Sequence, residues 1–82
     1  MIEYTVKVYE SGDKSWYLNG QLHRGDGPAI EFENGDKEWY RNGQRHREDG
    51  PAVEYDSVTK EWYLHGKEVT EEEVMVVKDG KL

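Results

Sequence analysis

Along this chain apolar and polar positions alternate over short runs, and each run ends in Asn, Gly, Asp or Pro. That is the pattern of half-buried strands joined by tight turns. The runs also repeat. Trp16, Trp39 and Trp62 are each followed by a tyrosine (Tyr17, Tyr40, Tyr63), and both intervals, 39 − 16 and 62 − 39, are 23 residues. Laying residues 16–38 over 39–61 gives 14 identities in 23 positions, with a shared W-Y-x-N-G-Q-x-H-R-x-D-G-P-A-x-E and a closing Lys-Glu. A unit this short cannot bury its apolar face alone and is stabilised by stacking on its neighbours. The expectation is a single domain over residues 1–82: an opening strand at 2–10, units at 16–38, 39–61 and 62–69, and a cap at the end.

Each unit carries two turn signals. In the middle one, Asn34-Gly35 and Asn42-Gly43 flank the strand-compatible run Asp36 to Arg41. Both residues of Asn-Gly tolerate the positive φ that a type I′ turn needs, so a two-residue loop is predicted at Asn34-Gly35. Glu31 then faces Glu38 and Ile30 faces Trp39. One hairpin face would hold Ile30, Phe32, Trp39 and the stem of Lys37, repeated as Val53, Tyr55, Lys60 and Trp62, and earlier as Lys7, Tyr9, Lys14 and Trp16; this is the predicted core. The segments His23 to Pro28 and His46 to Pro51 return the chain to the next hairpin, with Pro28 and Pro51 at strand starts because proline cannot donate to a ladder.

The third unit leaves the frame at Val69. Thr70 with Glu73 three residues on forms a capping box, and Glu71, Glu72 and Glu73 suit a helix N-terminus. A short helix over about 71–78 is predicted to cap the stack, with Val74 and Val77 against the last hairpin and Gly80 as a stop. The fold class is therefore mainly β, an antiparallel hairpin meander or solenoid of three units with a C-terminal capping helix.

Composition sharpens this. Val, Ile and Leu are sparse and aromatic residues make up 12% of the chain, so the thin core of a small domain must be built from rings. With no cysteine, disulfides, thiolate catalysis and the common structural zinc sites are excluded. Eighteen acidic against eleven basic residues give a net charge of −7, which opposes nonspecific nucleic-acid binding and favours a basic partner. The sequence has neither a leader pattern nor an apolar run of membrane-spanning length, so a soluble, cytoplasmic protein is expected.

With W-Y-x-N-G-x-x-H repeated at this period and a glycine-bearing hairpin between copies, residues 6 to 69 resemble the MORN family of repeats, particularly divergent variants of bacterial and phage proteins. The segments Arg24-Gly25-Asp26-Gly27-Pro28-Ala29 and Arg47-Glu48-Asp49-Gly50-Pro51-Ala52 stand where MORN repeats typically carry Gly-x-Gly. Such H-R-x-D-G-P-A repeats are similar to those of short phage and bacterial proteins. The resemblance implies stacked hairpins and a role as an interaction module. It extends to phage-encoded inhibitors of host defence (counter-defence), acting in the cytoplasm of the host cell, and to antitoxins.

The candidate chemistry is modest. His23 and His46 recur in register with Arg24 and Arg47. Equivalent residues of successive hairpins lie roughly 9–10 Å apart, far beyond a shared zinc whose bonds are about 2.0–2.1 Å, so a structural role is expected and no metal or cofactor is assigned. The serines have no triad context and no carboxylate pair is marked as acid and base, so no catalytic residue is assigned. Period-two alternation instead places Glu31, Glu38, Tyr40, Glu54, Glu61 and Tyr63 on one face opposite the tryptophans. Like charges opposed across strands cost stability, and the expected use of such a face is to bind a protein partner with a basic surface. The alternative is an acidic mimic of nucleic acid, filling the basic cleft of a nuclease or DNA-binding protein.

Overall fold

The computed structural model describes residues 3–80; Ile2, the first residue of the expected opening strand, lies outside the described residues. The strands are β1 (Thr5–Val8), β2 (Lys14–Leu18), β3 (Gln21–Leu22), β4 (Ile30–Glu31), β5 (Lys37–Glu38), β6 (Tyr40–Arg41), β7 (Gln44–Arg45), β8 (Val53–Tyr55), β9 (Thr59–Leu64) and β10 (Lys67–Val69), followed by helix α1 (Glu71–Lys78). All pairings are antiparallel. One sheet runs β1-β2-β4-β5-β8-β9-β10 with β3 added beside β2, and β6-β7 forms a separate ribbon. The molecule is a slab of 40 × 34 × 17 Å, which fits a mainly β chain of hairpins with one terminal helix.

The two kinds of turn behave differently. Asn19-Gly20 and Asn42-Gly43 have both residues at positive φ and close two-residue hairpins, as the Asn-Gly signal demands. Asn34-Gly35 does not. There the Phe32 N–H donates to the Asp36 carbonyl and the Gly35 N–H to the Phe32 carbonyl, so Glu33-Asn34-Gly35 is a three-residue loop with only Gly35 at positive φ. The loop Glu10-Ser11-Gly12 has the same bonds, Tyr9 N–H to Asp13 and Gly12 N–H to Tyr9.

That one extra residue shifts the predicted register and moves side chains between faces. Ile30 faces Glu38 rather than Trp39, and Glu31 faces Lys37 rather than Glu38. Likewise Val53 faces Glu61, Glu54 faces Lys60, and Lys7 faces Ser15. Two rows cross the sheet: Ser15, Ile30, Glu38, Val53, Glu61 on one face and Lys14, Glu31, Lys37, Glu54, Lys60 on the other. The second row alternates in sign at every strand. The expected repulsion is replaced by opposite charges, which is the physical reason this register wins. The tryptophans stay with the lysines, but Ile30 and Val53 leave them for the opposite face.

Packing on the tryptophan side rests on arginine. The Arg24 guanidinium lies 3.9 Å over the Trp16 ring and Arg47 lies 3.8 Å over Trp39. Each also bonds the aspartate two residues on (Asp26, Asp49), the proline carbonyl four on (Pro28, Pro51) and the glutamate seven on (Glu31, Glu54). Glycine makes room: a Cβ at Gly50 would sit 2.9 Å from the Arg47 guanidinium carbon, and at Gly27 3.2 Å from that of Arg24. Ala29 and Ala52 are fully buried, and their carbonyls accept from the Trp16 and Trp39 N–H groups. Successive hairpins are then tied by Arg24 N–H to Tyr40, Gly43 N–H to Leu22, Arg47 N–H to Tyr63 and Gly66 N–H to Arg45.

The far end follows the helix reading closely. Thr70 caps α1, its side chain accepting from the Glu73 N–H while Glu73 reaches back, and Val74 is buried. The helix packs on β9, the strand bearing Trp62. Gly50→Ala should therefore destabilise the protein by about 1–3 kcal/mol, the cost of overpacking, whereas Gly35→Ala should act through its positive φ alone. Urea denaturation of each variant checks this, and an unperturbed Gly50→Ala would show that the arginine stack is not constrained from below.

Candidate functional site

The six residues expected on one acidic face divide between two. Glu38, Tyr40, Glu61 and Tyr63 come together. Glu31 and Glu54 do not: they lie on the opposite face, opposed to lysines and held by Arg24 at 3.3 Å and Arg47 at 3.0 Å. The register shift described above is the cause.

What gathers around Glu38 is a tyrosine cluster. Glu38 is only 5% exposed, although it lies between Ile30 and Val53 on the sheet. A buried carboxylate needs donors. The Tyr40 hydroxyl donates to its Oε1 at 2.7 Å, the Tyr55 hydroxyl donates to Oε2, and Arg45 reaches Oε1 at 3.4 Å. Arg45 also donates to the Tyr63 hydroxyl, its guanidinium 5.2 Å over that ring, and Tyr63 donates to Glu61. Sequence reasoning put Tyr55 in the core beside Trp62 and Arg45 in an arginine-rich loop edge weighed as the alternative binding surface, and paired neither with Glu38. The shared loop position of Gly12 and Gly35 was the signal that could have placed Tyr55 with Glu38.

The protonation states follow from the surroundings. Burial, then the hydrogen bond to Glu38, pushes the Tyr55 phenol from 10.0 up to about 12. Burial and Glu38 raise Tyr40 as well. Phenols held protonated are donors, not bases or nucleophiles, so this chemistry suits positioning rather than proton abstraction.

The histidines serve the turns. His23 Nδ1 accepts from the Asn42 N–H, and His46 Nδ1 accepts from the His65 N–H, each at 2.9 Å. The contacts to the turn's proline carbonyl and aspartate are made by Arg24 and Arg47, while the imidazoles turn toward the next hairpin. With Nδ1 accepting, the hydrogen-bond network assigns His46 the Nε2–H tautomer, which donates to Glu48 at 2.7 Å and holds that carboxyl below its ordinary value. His46 and His65 rings lie 4.4 Å apart. Among the described residues no group of three or more His, Asp or Glu could hold a metal ion, and no helix is long and apolar enough to cross a membrane.

Apart from the tyrosine cluster, an open cleft of about 580 Å³ lies between the two arginine loops and α1. Its cations are largely committed: Arg24 to Asp26 and Glu31, Arg47 to Asp49 and Glu54, Arg41 to Glu48. Comparison of the chain with protein-family models, curated proteins and solved structures finds no match.

Glu38→Gln should now destabilise by about 1–3 kcal/mol, the cost of disturbing a buried acceptor, instead of relieving repulsion; chemical denaturation gives the sign. In alkali the unfolded chain loses the Tyr55 proton at its ordinary 10.0 while the folded chain keeps it to about 12. The stability Tyr55 contributes is complete below the lower value and is lost as pH rises through that window. Comparing melting against pH for the parent and Tyr55→Phe isolates the effect; identical slopes would refute it.

Proposed function

We propose that this chain is a non-enzymatic, MORN-like stack of three repeat units that binds another protein through the tyrosine cluster around Glu38. The observation that carries the reading is preorganisation. Tyr40, Tyr55 and Tyr63 are half-buried, and Glu38, Glu61 and Arg45 fix their hydroxyls, so large contact rings are offered with little entropy left to lose. A basic partner is supported by the net charge of −7 and by the loops beside Tyr55. There Asp13 and Asp36 accept from the Glu33 and Asp56 N–H groups and bring acidic loops side by side. An inhibitor or antitoxin would use such a face to occlude its target.

The nucleic-acid mimic has less support. A mimic displays an unbroken series of carboxylates, whereas Glu31 and Glu54 alternate with lysines and are tied to arginines.

Immobilised parent protein should capture its partner from extracts of the native host, and Tyr63→Ala should weaken that capture by roughly 30-fold, as an anchor worth ~2 kcal/mol would. Calorimetry with the purified partner at two salt concentrations quantifies it. Undiminished binding by a Tyr63→Ala variant that still melts cooperatively would remove the cluster from the interface. A steep collapse of affinity with salt would favour the mimic.

A further inference from the structure

The two edges of the main sheet are finished differently. At the β10 edge, Lys67 and Glu68 are charged and exposed, and α1 packs against the neighbouring β9. At the β1 edge no helix packs alongside among the described residues, and Lys7 is the one charged residue of the strand. Every residue of β1 is exposed, and among the described residues no strand pairs with its outer side. Among the described residues, four of the six exposed large hydrophobic residues lie in or beside it: Tyr4, Val6, Val8 and Tyr9, at 38%, 45%, 67% and 47% exposure. Open, flat, β-branched edges are templates for another strand.

The hydrogen-bonding phase of that edge is fixed. Tyr9 N–H bonds the Asp13 carbonyl, and in an antiparallel ladder bonded pairs alternate. With Lys7 facing Ser15 and Thr5 facing Tyr17, residues 5, 7 and 9 therefore point their backbone groups at β2. Tyr4, Val6 and Val8 point theirs outward, and their side chains share the face of Trp16, which Val6 opposes directly.

We infer that β1 pairs antiparallel with β1 of a second copy, forming a two-fold dimer centred on Val6. In that register Val6 meets Val6 of the second copy, Tyr4 meets Val8, and Thr5 meets Lys7, so no like charges oppose. Moving the axis one residue to Lys7 would set lysine against lysine, which is unfavourable. The Val6 register also brings Tyr4, Val6 and Val8 of the two copies together on the Trp16 side of the sheet. The assembly closes at two, because an isologous contact uses the same patch on both partners and the opposite edge is charged and flanked by the helix.

Sedimentation equilibrium of the full chain should show twice the monomer mass, and Val6→Lys, which places two ammonium groups on the axis, should return the monomer with unchanged circular dichroism. Because the chain contains no cysteine, a single introduced thiol reports the register. Opposed residues of a bonded pair have Cα atoms about 5.5 Å apart, within disulfide range. On mild oxidation Val6→Cys should give a covalent dimer at least tenfold faster than Val8→Cys. A monomer at every concentration, a dimer that survives Val6→Lys, or a dimer in which Val6→Cys crosslinks no faster than Val8→Cys would each overturn the assignment. None of these outcomes touches the tyrosine cluster, so the two readings fail separately.

Discussion

A guanidinium laid flat on an indole holds this protein together. Such a contact contributes only about 0.5–2 kcal/mol by itself, but where the buried apolar side chains among the described residues are Ala29, Ala52, Val53 and Val74 it organises everything near it. Every letter of the repeated His-Arg-x-Asp-Gly-Pro-Ala serves it. Histidine accepts from the next turn, aspartate bonds the guanidinium Nε, and glycine leaves the space the guanidinium fills. Proline offers a carbonyl, and the buried alanine accepts from the tryptophan N–H. A motif that resembles a site of chemistry is thus consumed in building the unit, and among the described residues no buried side-chain polar atom lacks a partner.

The same logic explains which parts of the fold were legible in the sequence. The period, the hairpins, the helix and its capping box depend on local patterns, and these were readable from Trp16, Asn42-Gly43 and Thr70-Glu73. Register was not, because Asn-Gly serves a two-residue turn at Asn42 and a three-residue loop at Asn34. Local chemistry leaves the two nearly equal, and pairing across strands decides. Only one choice puts Glu31 opposite Lys37 and Glu54 opposite Lys60. Two of the six candidate-site residues changed face through that single residue: Glu38, Tyr40, Glu61 and Tyr63 stayed together, while Glu31 and Glu54 went to the arginines. A carboxylate flanked by isoleucine and valine also signals solvent exposure by composition, so the burial of Glu38 was invisible until its tyrosine donors were located.

Glu38 shows how a small sheet accommodates charge without a large core. Its two oxygens are shared among hydroxyls from two different strands and a guanidinium, so one buried group fixes the orientation of several rings at once. Networks of this kind are stable only when every member is satisfied. The order they impose on the surrounding tyrosines is the same order that makes a surface competent to bind.

Thr70 occupies the place, eight residues after its tryptophan, that Arg24 and Arg47 fill in the earlier units. There the chain begins a helix instead of another arginine bracket. Growth of the array is thereby decoupled from its ending. A further 23-residue segment inserted before Trp62 would meet on each side the interface it needs, so chain length becomes an integer variable of the architecture. Each inserted segment would add strands to the antiparallel sheet and lengthen the slab.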